Sequence, residues 1–269
     1  MVPPSQIPQN SGAPEDDGIW LTDTSTGRSH LLASLKSLVE RSGAFEDPSY
    51  KFGDFYAFHT KWSPDGSRIM LVLRWTPKEA TSSGWWRFKP ASKSSMRKNV
   101  LTLARDGSDV HVAVSDALWA QGGHHPNWCP DSSHIVMNLN LSGEGLRFAK
   151  MKYDGSGLCA LHPTAIGSGH PSIHPSRPIL MSDAYPKESV AYGDGTVPIR
   201  LINLETGDER RILRISCRPE YVGDRKEMRV DAHPAWNPDG NWITFNGCPD
   251  GTRRVYLAHV AGLLAEMDK

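Results

Sequence analysis

Hydrophobic and polar positions alternate in four similar stretches of this chain. Short apolar runs stand at Ile69–Leu73, Ile135–Met137, Ile179–Met181 and Ile243–Phe245. A turn precedes each run: Ser63-Pro64-Asp65-Gly66, Cys129-Pro130-Asp131, His174-Pro175-Ser176-Arg177 and Asn237-Pro238-Asp239-Gly240. Pro, Asp and Gly supply the bend, and the residues on either side read as paired strands. Before each turn stands a histidine with an apolar residue three positions on: His59 and Trp62, His125 and Trp128, His170 and Ile173, His233 and Trp236. A hairpin repeated at this period predicts radial repetition, so the expected fold class is all-β, a β-propeller of four-stranded blades.

The interval from His125 to His170 is 45 residues, one blade period, and the intervals of 66 and 63 residues on either side leave room for insertions. The first blade begins near Tyr56, and its insertion, 76–98, carries Trp85-Trp86. The second blade spans about His124 to Ile166 and the third about His170 to Ile215. The fourth, from Arg229 to about Val260, shows three strands. Gly18–Gly27 and Ser29–Leu32 read as a leading pair of outer strands, and Leu35–Arg41 as a short helix or loop. Two arrangements stay open: about five blades, with the leading pair completing the last one, or part of a seven-bladed propeller. Residues 1–17, rich in Pro, Gln and Asp, are expected to lack structure. Residues 18–260 form the propeller domain, and 261–269 a short helix or frayed tail.

Composition narrows the function classes. The 269 residues carry equal numbers of acidic and basic groups, with a formal net charge of zero. There is thus no global field to attract nucleic acid or an anionic membrane. No apolar stretch reaches the roughly 18 residues of a membrane helix, and no signal-peptide core is evident, so the chain reads as cytoplasmic. Cys129, Cys159, Cys217 and Cys248 have no CxxC spacing and read as buried, reduced thiols. Equivalent positions in a propeller lie at equivalent radius and height. The four histidines are therefore expected to converge near the axis, where they hold a metal or an anion or lock neighbouring blades together.

The Trp-Ser-Pro-Asp-Gly repeat resembles TolB-type blades. Gly167-Ser-Gly-His170-Pro-Ser, Ser182-Asp-Ala-Tyr185-Pro, Pro198-Ile-Arg200 and Arg229-Val-Asp231-Ala-His233-Pro resemble the oligogalacturonate-lyase-like and ulvan-lyase-like propeller polysaccharide lyases. That resemblance implies β-elimination on a uronate-containing, anionic oligosaccharide, with a non-catalytic glycan- or protein-binding scaffold as the alternative. It implies His59 as the base, Tyr185 as the acid or a hydrogen-bond donor, and Arg200 and Arg229 as neutralisers of the uronate carboxylate. Arg74, His124 and Trp86 are the expected substrate contacts. A divalent ion, Mn or Zn, is expected on His125, His170 and His233. Three positions depart from the lyase pattern: Leu73 stands where a histidine is expected, and Asn138 and Asn140 where a cation is expected.

Overall fold

The computed structural model describes residues 11–77, 96–217 and 230–267. Its strands form four blade-type sheets and one separate pair, the arrangement of a β-propeller. The leading pair is β1 (Gly18–Thr22) and β2 (Ser29–Ser34). The first blade is β3 (Gly53–Trp62), β4 (Arg68–Pro77), β5 (Arg97–Ala104) and β6 (His111–Val114). The second is β7 (Gly123–Trp128), β8 (His134–Leu139), β9 (Arg147–Lys152) and β10 (Cys159–Ala160). The third is β11 (Ser172–Ile173), β12 (Ile179–Ser182), β13 (Thr196–Asn203) and β14 (Glu209–Ser216). The last has three strands, β15 (Ala235–Trp236), β16 (Trp242–Gly247) and β17 (Arg254–His259). Among the described residues there are also three short α-helices, α1 (Leu35–Ser42), α2 (Asp116–Ala120) and α3 (Ala261–Met267), and a 3-10 turn at Pro48–Phe52. None is long and apolar enough to cross a membrane.

The chain separates into two compact units, Met1–Ala120 with Tyr153–Ser156, and Gln121–Lys152 with Gly157–Lys269. In the first unit, Ile19, Ala33, Leu35 and Leu38 pack with Phe55, Leu71, Leu73 and Leu101 in one core. The leading pair is thus a two-stranded sheet bound to the first blade and not the missing strand of the last one. Residues 11–17, expected to be unstructured, are pinned to this unit. Phe55 N–H donates to Gly12 O (2.9 Å), Leu35 N–H to Asp17 O (2.8 Å), and Gly12 N–H to Asp54 Oδ1 (2.7 Å). In the second unit, Val136 and Phe148 of the second blade pack on Leu180 and Ile202 of the third. Ile179, Ile199 and Leu201 of the third pack with Ile243 and Phe245 of the last. On the other face of the last blade, Val255 and Leu257 are 73% and 68% exposed.

One register runs through all four blades: Lys61 pairs with Met70, Asn127 with Val136, Ser172 with Met181 and Ala235 with Thr244. The turns behave as their residues dictate. Asp65 Oδ1 accepts from Ser67 N–H (3.0 Å), Asp131 Oδ1 from Ser133 N–H (2.9 Å), and Asp239 Oδ1 from Asn241 N–H (2.8 Å). Gly66 and Gly240 hold φ of 69° and 76°, and the second blade puts Ser132 there at 60°. Side chains tolerate that region poorly. Ser132→Gly is therefore expected to stabilise the protein by about 0.5 kcal/mol, strain relief being partly offset by unfolded-chain entropy. The midpoint of denaturant unfolding measures it.

Three cysteines are buried as expected, but Cys159 is exposed; all four are free. Burial pushes the Cys129 thiol up to about 12, so it is inert as a nucleophile.

Candidate metal centre

The repeat register explains how its histidines are presented. In β7 the pairing skips from His124 to Asn127, and in β3 from Phe58 to Lys61, so His125 and His59 sit on bulges. Both are in the left-handed region, at φ 58° and 55°, and His233 is there at 46°. Three non-glycine residues at equivalent repeat positions in this conformation mark backbone strain of the kind that concentrates at functional sites.

In the second unit, His125, His170 and His233 come together. The His170 and His233 rings stack at 3.4 Å between centroids, and His125 lies 4.0 Å from His170. Asp183, at the end of β12, fixes two of them. Its Oδ1 accepts from His170 N–H (2.7 Å) and from His170 Nδ1–H (2.9 Å), and its Oδ2 from His233 N–H (3.0 Å). Burial pushes this carboxyl up, but the His170 hydrogen bond and charge and the backbone donors outweigh it and hold it below the usual carboxylate range. An ionised carboxylate only accepts, so the His170 nitrogen facing it, Nδ1, carries a proton, and in the neutral imidazole the Nε2 lone pair faces away from it. Gly169 (φ 62°) lets the chain pass this close; a Cβ there would lie 2.2 Å from Asp183 Oδ1.

The donor atoms of His170, Asp231 and His233 lie within 4.8 Å of one another. Two imidazoles and a carboxylate at that spacing suit a divalent ion such as Mn or Zn. A carboxylate behind His170 is the usual support for a ligating histidine. Asp231, where the sequence pointed to His125, completes the candidate donor group with His170 and His233 among the described residues. His125 is otherwise engaged: its Nε2 lies 2.5 Å from the Tyr185 hydroxyl, which also lies 3.4 Å from His170 Nε2.

The loop that carries Tyr185 is held by Glu188. Its carboxylate accepts from Tyr185 N–H (3.3 Å) and from the Ser168 hydroxyl, and its Oε1 lies 3.7 Å from His124 Nε2. Burial raises the Glu188 carboxyl, but the contacts with His124, Ser168 and the Tyr185 backbone more than reverse this. His124 Nδ1 in turn lies 3.2 Å from Asn138 Nδ2, which donates to Gly169 O (2.8 Å). His124 and Asn138 therefore brace the site from behind. Asn140 serves its own loop, donating to Gln121 O (3.0 Å).

Arg200 is fully buried, and its guanidinium donates to Glu209 (2.6 Å) and Ile166 O (3.1 Å). Its guanidinium is thus committed to the fold. In the first unit, His59 is exposed and rests on Phe58, with ring centroids 4.1 Å apart. Arg74 lies 3.6 Å over the Phe58 ring and donates to Tyr56 (3.3 Å), and Leu73 is core. Burial lowers the neighbouring Lys61 to about 8. Trp86 and Arg229 lie outside the described residues.

No protein-family model matches the sequence, and no curated protein resembles it closely enough to count as a relative. Solved structures do resemble it. An oligogalacturonate lyase in complex with manganese superimposes with a TM-score of 0.51 at 13% identity, covering 89% of this chain and 70% of the lyase. The tricorn protease gives 0.51 at 9% identity, over 88% of this chain and 23% of the protease. TolB from Acinetobacter baumannii gives 0.48 at 11%, over 90% of this chain and 57% of TolB. Against TolB the chain spans little more than half the other protein's length. At these identities the likeness establishes the propeller fold, in line with the resemblance in the repeat residues.

Proposed function

We propose that the second unit carries a metal-assisted lyase site that cleaves uronate-containing oligosaccharides by β-elimination. The observation that supports this most is the adjacency of a two-histidine, one-carboxylate donor set to the His125–Tyr185 hydrogen bond. The similarly folded oligogalacturonate lyase that carries manganese is consistent with the reading. In this reaction the C5–H bond breaks, its electron pair becomes the C4–C5 double bond, the C4–O bond breaks, and the leaving oxygen takes a proton. A divalent ion held by His170, Asp231 and His233 would neutralise the uronate carboxylate, which acidifies C5. Tyr185 and His125 share one hydrogen-bonded proton beside that position. One of the pair accepts the C5 proton and the other serves the leaving oxygen. Asp183 keeps His170 in the tautomer that turns Nε2 outward, and Glu188 keeps the Tyr185 loop in place. With Arg200 committed to Glu209, a divalent ion held by His170, Asp231 and His233 would supply the neutralising charge expected of that arginine.

The test is incubation with pectate, ulvan, alginate and glycosaminoglycan oligomers, with manganese or zinc present, following the ultraviolet absorbance of an unsaturated uronate. One substrate is expected to give a rising signal, and Tyr185→Phe is expected to lower its rate about 10²–10⁴-fold. If turnover is present and Tyr185→Phe leaves it unchanged, the assignment is wrong. A second reading, a non-catalytic glycan- or protein-binding propeller, is favoured by Arg200, Leu73 and Asn138, which all serve structure here. Silence across the panel in a folded, metal-loaded protein selects it.

A further inference from the structure

In the second unit, the second and third blades each turn one sheet face to the blade that follows. In the second blade that face carries Val136 and Phe148, which pack with Leu180 and Ile202 of the third. In the third it carries Met181, Ile199 and Leu201, which pack with Ile243 and Phe245 of the last. The shared register fixes the counterparts in the last blade. Met181 pairs with Leu201 as Thr244 pairs with Leu257, and Val255 stands two residues before Leu257 as Ile199 stands two before Leu201. Ile199 and Leu201 are fully buried, whereas Val255 and Leu257 are mostly exposed. Trp242 shares their face by strand alternation and is also exposed, its ring 4.8 Å from that of His259. An apolar face built like the interblade faces is thus left open.

Its charge pattern selects the occupant. Trp242, Thr244, Asn246, Val255, Leu257 and His259 include no carboxylate, lysine or arginine. The second blade, by contrast, places Lys150 at the position of Leu257. Across a two-fold axis a residue near the axis meets its own copy, so a charge there would repel itself. This face carries no such charge, and it offers a charged partner nothing to pair with. Arg254 takes the other face by alternation and is paired with Asp250 (2.7 Å). The edge is open as well. β17 ends its sheet, and its exposed residues are apolar, whereas β14, which ends the third, carries Arg210, Arg211 and Arg214. Size sets the strength. Three strands of six residues at most make a face of about 20 by 14 Å, on the order of 300 Å². A stable complex takes about 800 Å² from each partner, so two such faces form a weak pair that separates on dilution.

We propose that the protein self-associates through this face as a two-fold dimer. Val255, Leu257 and Trp242 of one copy pack against those of the other, sheet on sheet, as one blade packs on the next. The inference does not rest on the lyase reading.

Sedimentation velocity of the full chain between about 5 and about 500 µM tests it. The average mass is expected to rise from the 29.7 kDa of one chain toward twice that value, with a midpoint in the micromolar range. Leu257→Lys, at an exposed position that tolerates a charge, is expected to weaken association at least about tenfold, and Leu257→Asp likewise. Mixing these two variants is expected to restore it, since opposite charges then meet across the axis. Leu158→Lys, at an exposed apolar position of the second blade, is expected to leave it intact. Circular dichroism establishes that each variant is folded. A monomer at every concentration would overturn the proposal and leave the face to a different partner. Undiminished association of folded Leu257→Lys would also overturn it, because the contact would then use another surface.

Discussion

Asp183→Asn is expected to destabilise the second unit by about 3–5 kcal/mol, the cost of breaking a buried charged network from one side. The substitution keeps shape and removes an acceptor. In the wild type the two carboxylate oxygens each accept a backbone N–H, one from His170 and the other from His233. An asparagine has one oxygen, so its amide N–H must face one of those donors. The side chain is buried to about 2% exposure, so the mismatch has no solvent escape. The same change deprives His170 Nδ1 of its carboxylate, and metal affinity is expected to fall about 10–100-fold in whatever protein remains folded. Urea unfolding and isothermal titration with manganese measure the two effects separately. Wild-type stability with wild-type metal affinity would show that Asp183 is neither a blade lock nor a ligand support.

Glu209→Gln is expected to cost about 3 kcal/mol through a different mechanism. Arg200 has a fully buried side chain, and Glu209, 27% exposed, is its only ion-pair partner among the described residues. Removing the carboxylate leaves a buried guanidinium whose Nε already lacks a partner, and the small exposure of Glu209 places the cost at the lower end for such pairs. Burial raises the Glu209 carboxyl, but the Arg200 hydrogen bond and charge, helped by Arg211, hold it below its ordinary value of 4.5. A carboxyl depressed on folding contributes stability that is complete above its unfolded value and lost as pH falls through its folded value. The wild type is thus expected to lose stability below about pH 4.5 through this pair. Glu209→Gln should be weaker at neutral pH and lack that component of the acid loss. Equal stability of the two proteins at pH 7 would contradict the assignment.

The register of the blades was readable in the sequence because turn chemistry and strand alternation are local. Pro-Asp-Gly turns bend wherever they occur, and the residue at a fixed distance before them lands in the same place each time. That is why His125, His170 and His233, three of the four register histidines, come together in the second unit. The metal set was only partly readable. Choosing between His125 and Asp231 depends on which donor atoms point at one another, and the bulge at His125 turns its ring toward Tyr185. The Asp-x-His spacing of Asp231 and His233 was the available signal. The partner of Arg200 was hidden for a similar reason. Its role is set by Glu209 on β14, which a shift of pairing between Ile199 and Arg200 brings within reach. An arginine in a strand looks the same in sequence whether it meets a substrate or a neighbouring strand. Asp183 and Glu188 were visible as residues but not as supports, because their partners come from segments 13 to 64 positions away.

The most direct test of the central claim is elimination by metal-stripped protein, with manganese added back, in the wild type and in His233→Ala. The account predicts that stripped wild-type protein is silent, that manganese restores the ultraviolet signal of an unsaturated uronate, and that folded His233→Ala stays silent with manganese present. Turnover in the stripped wild type, or full restoration in His233→Ala, would contradict it.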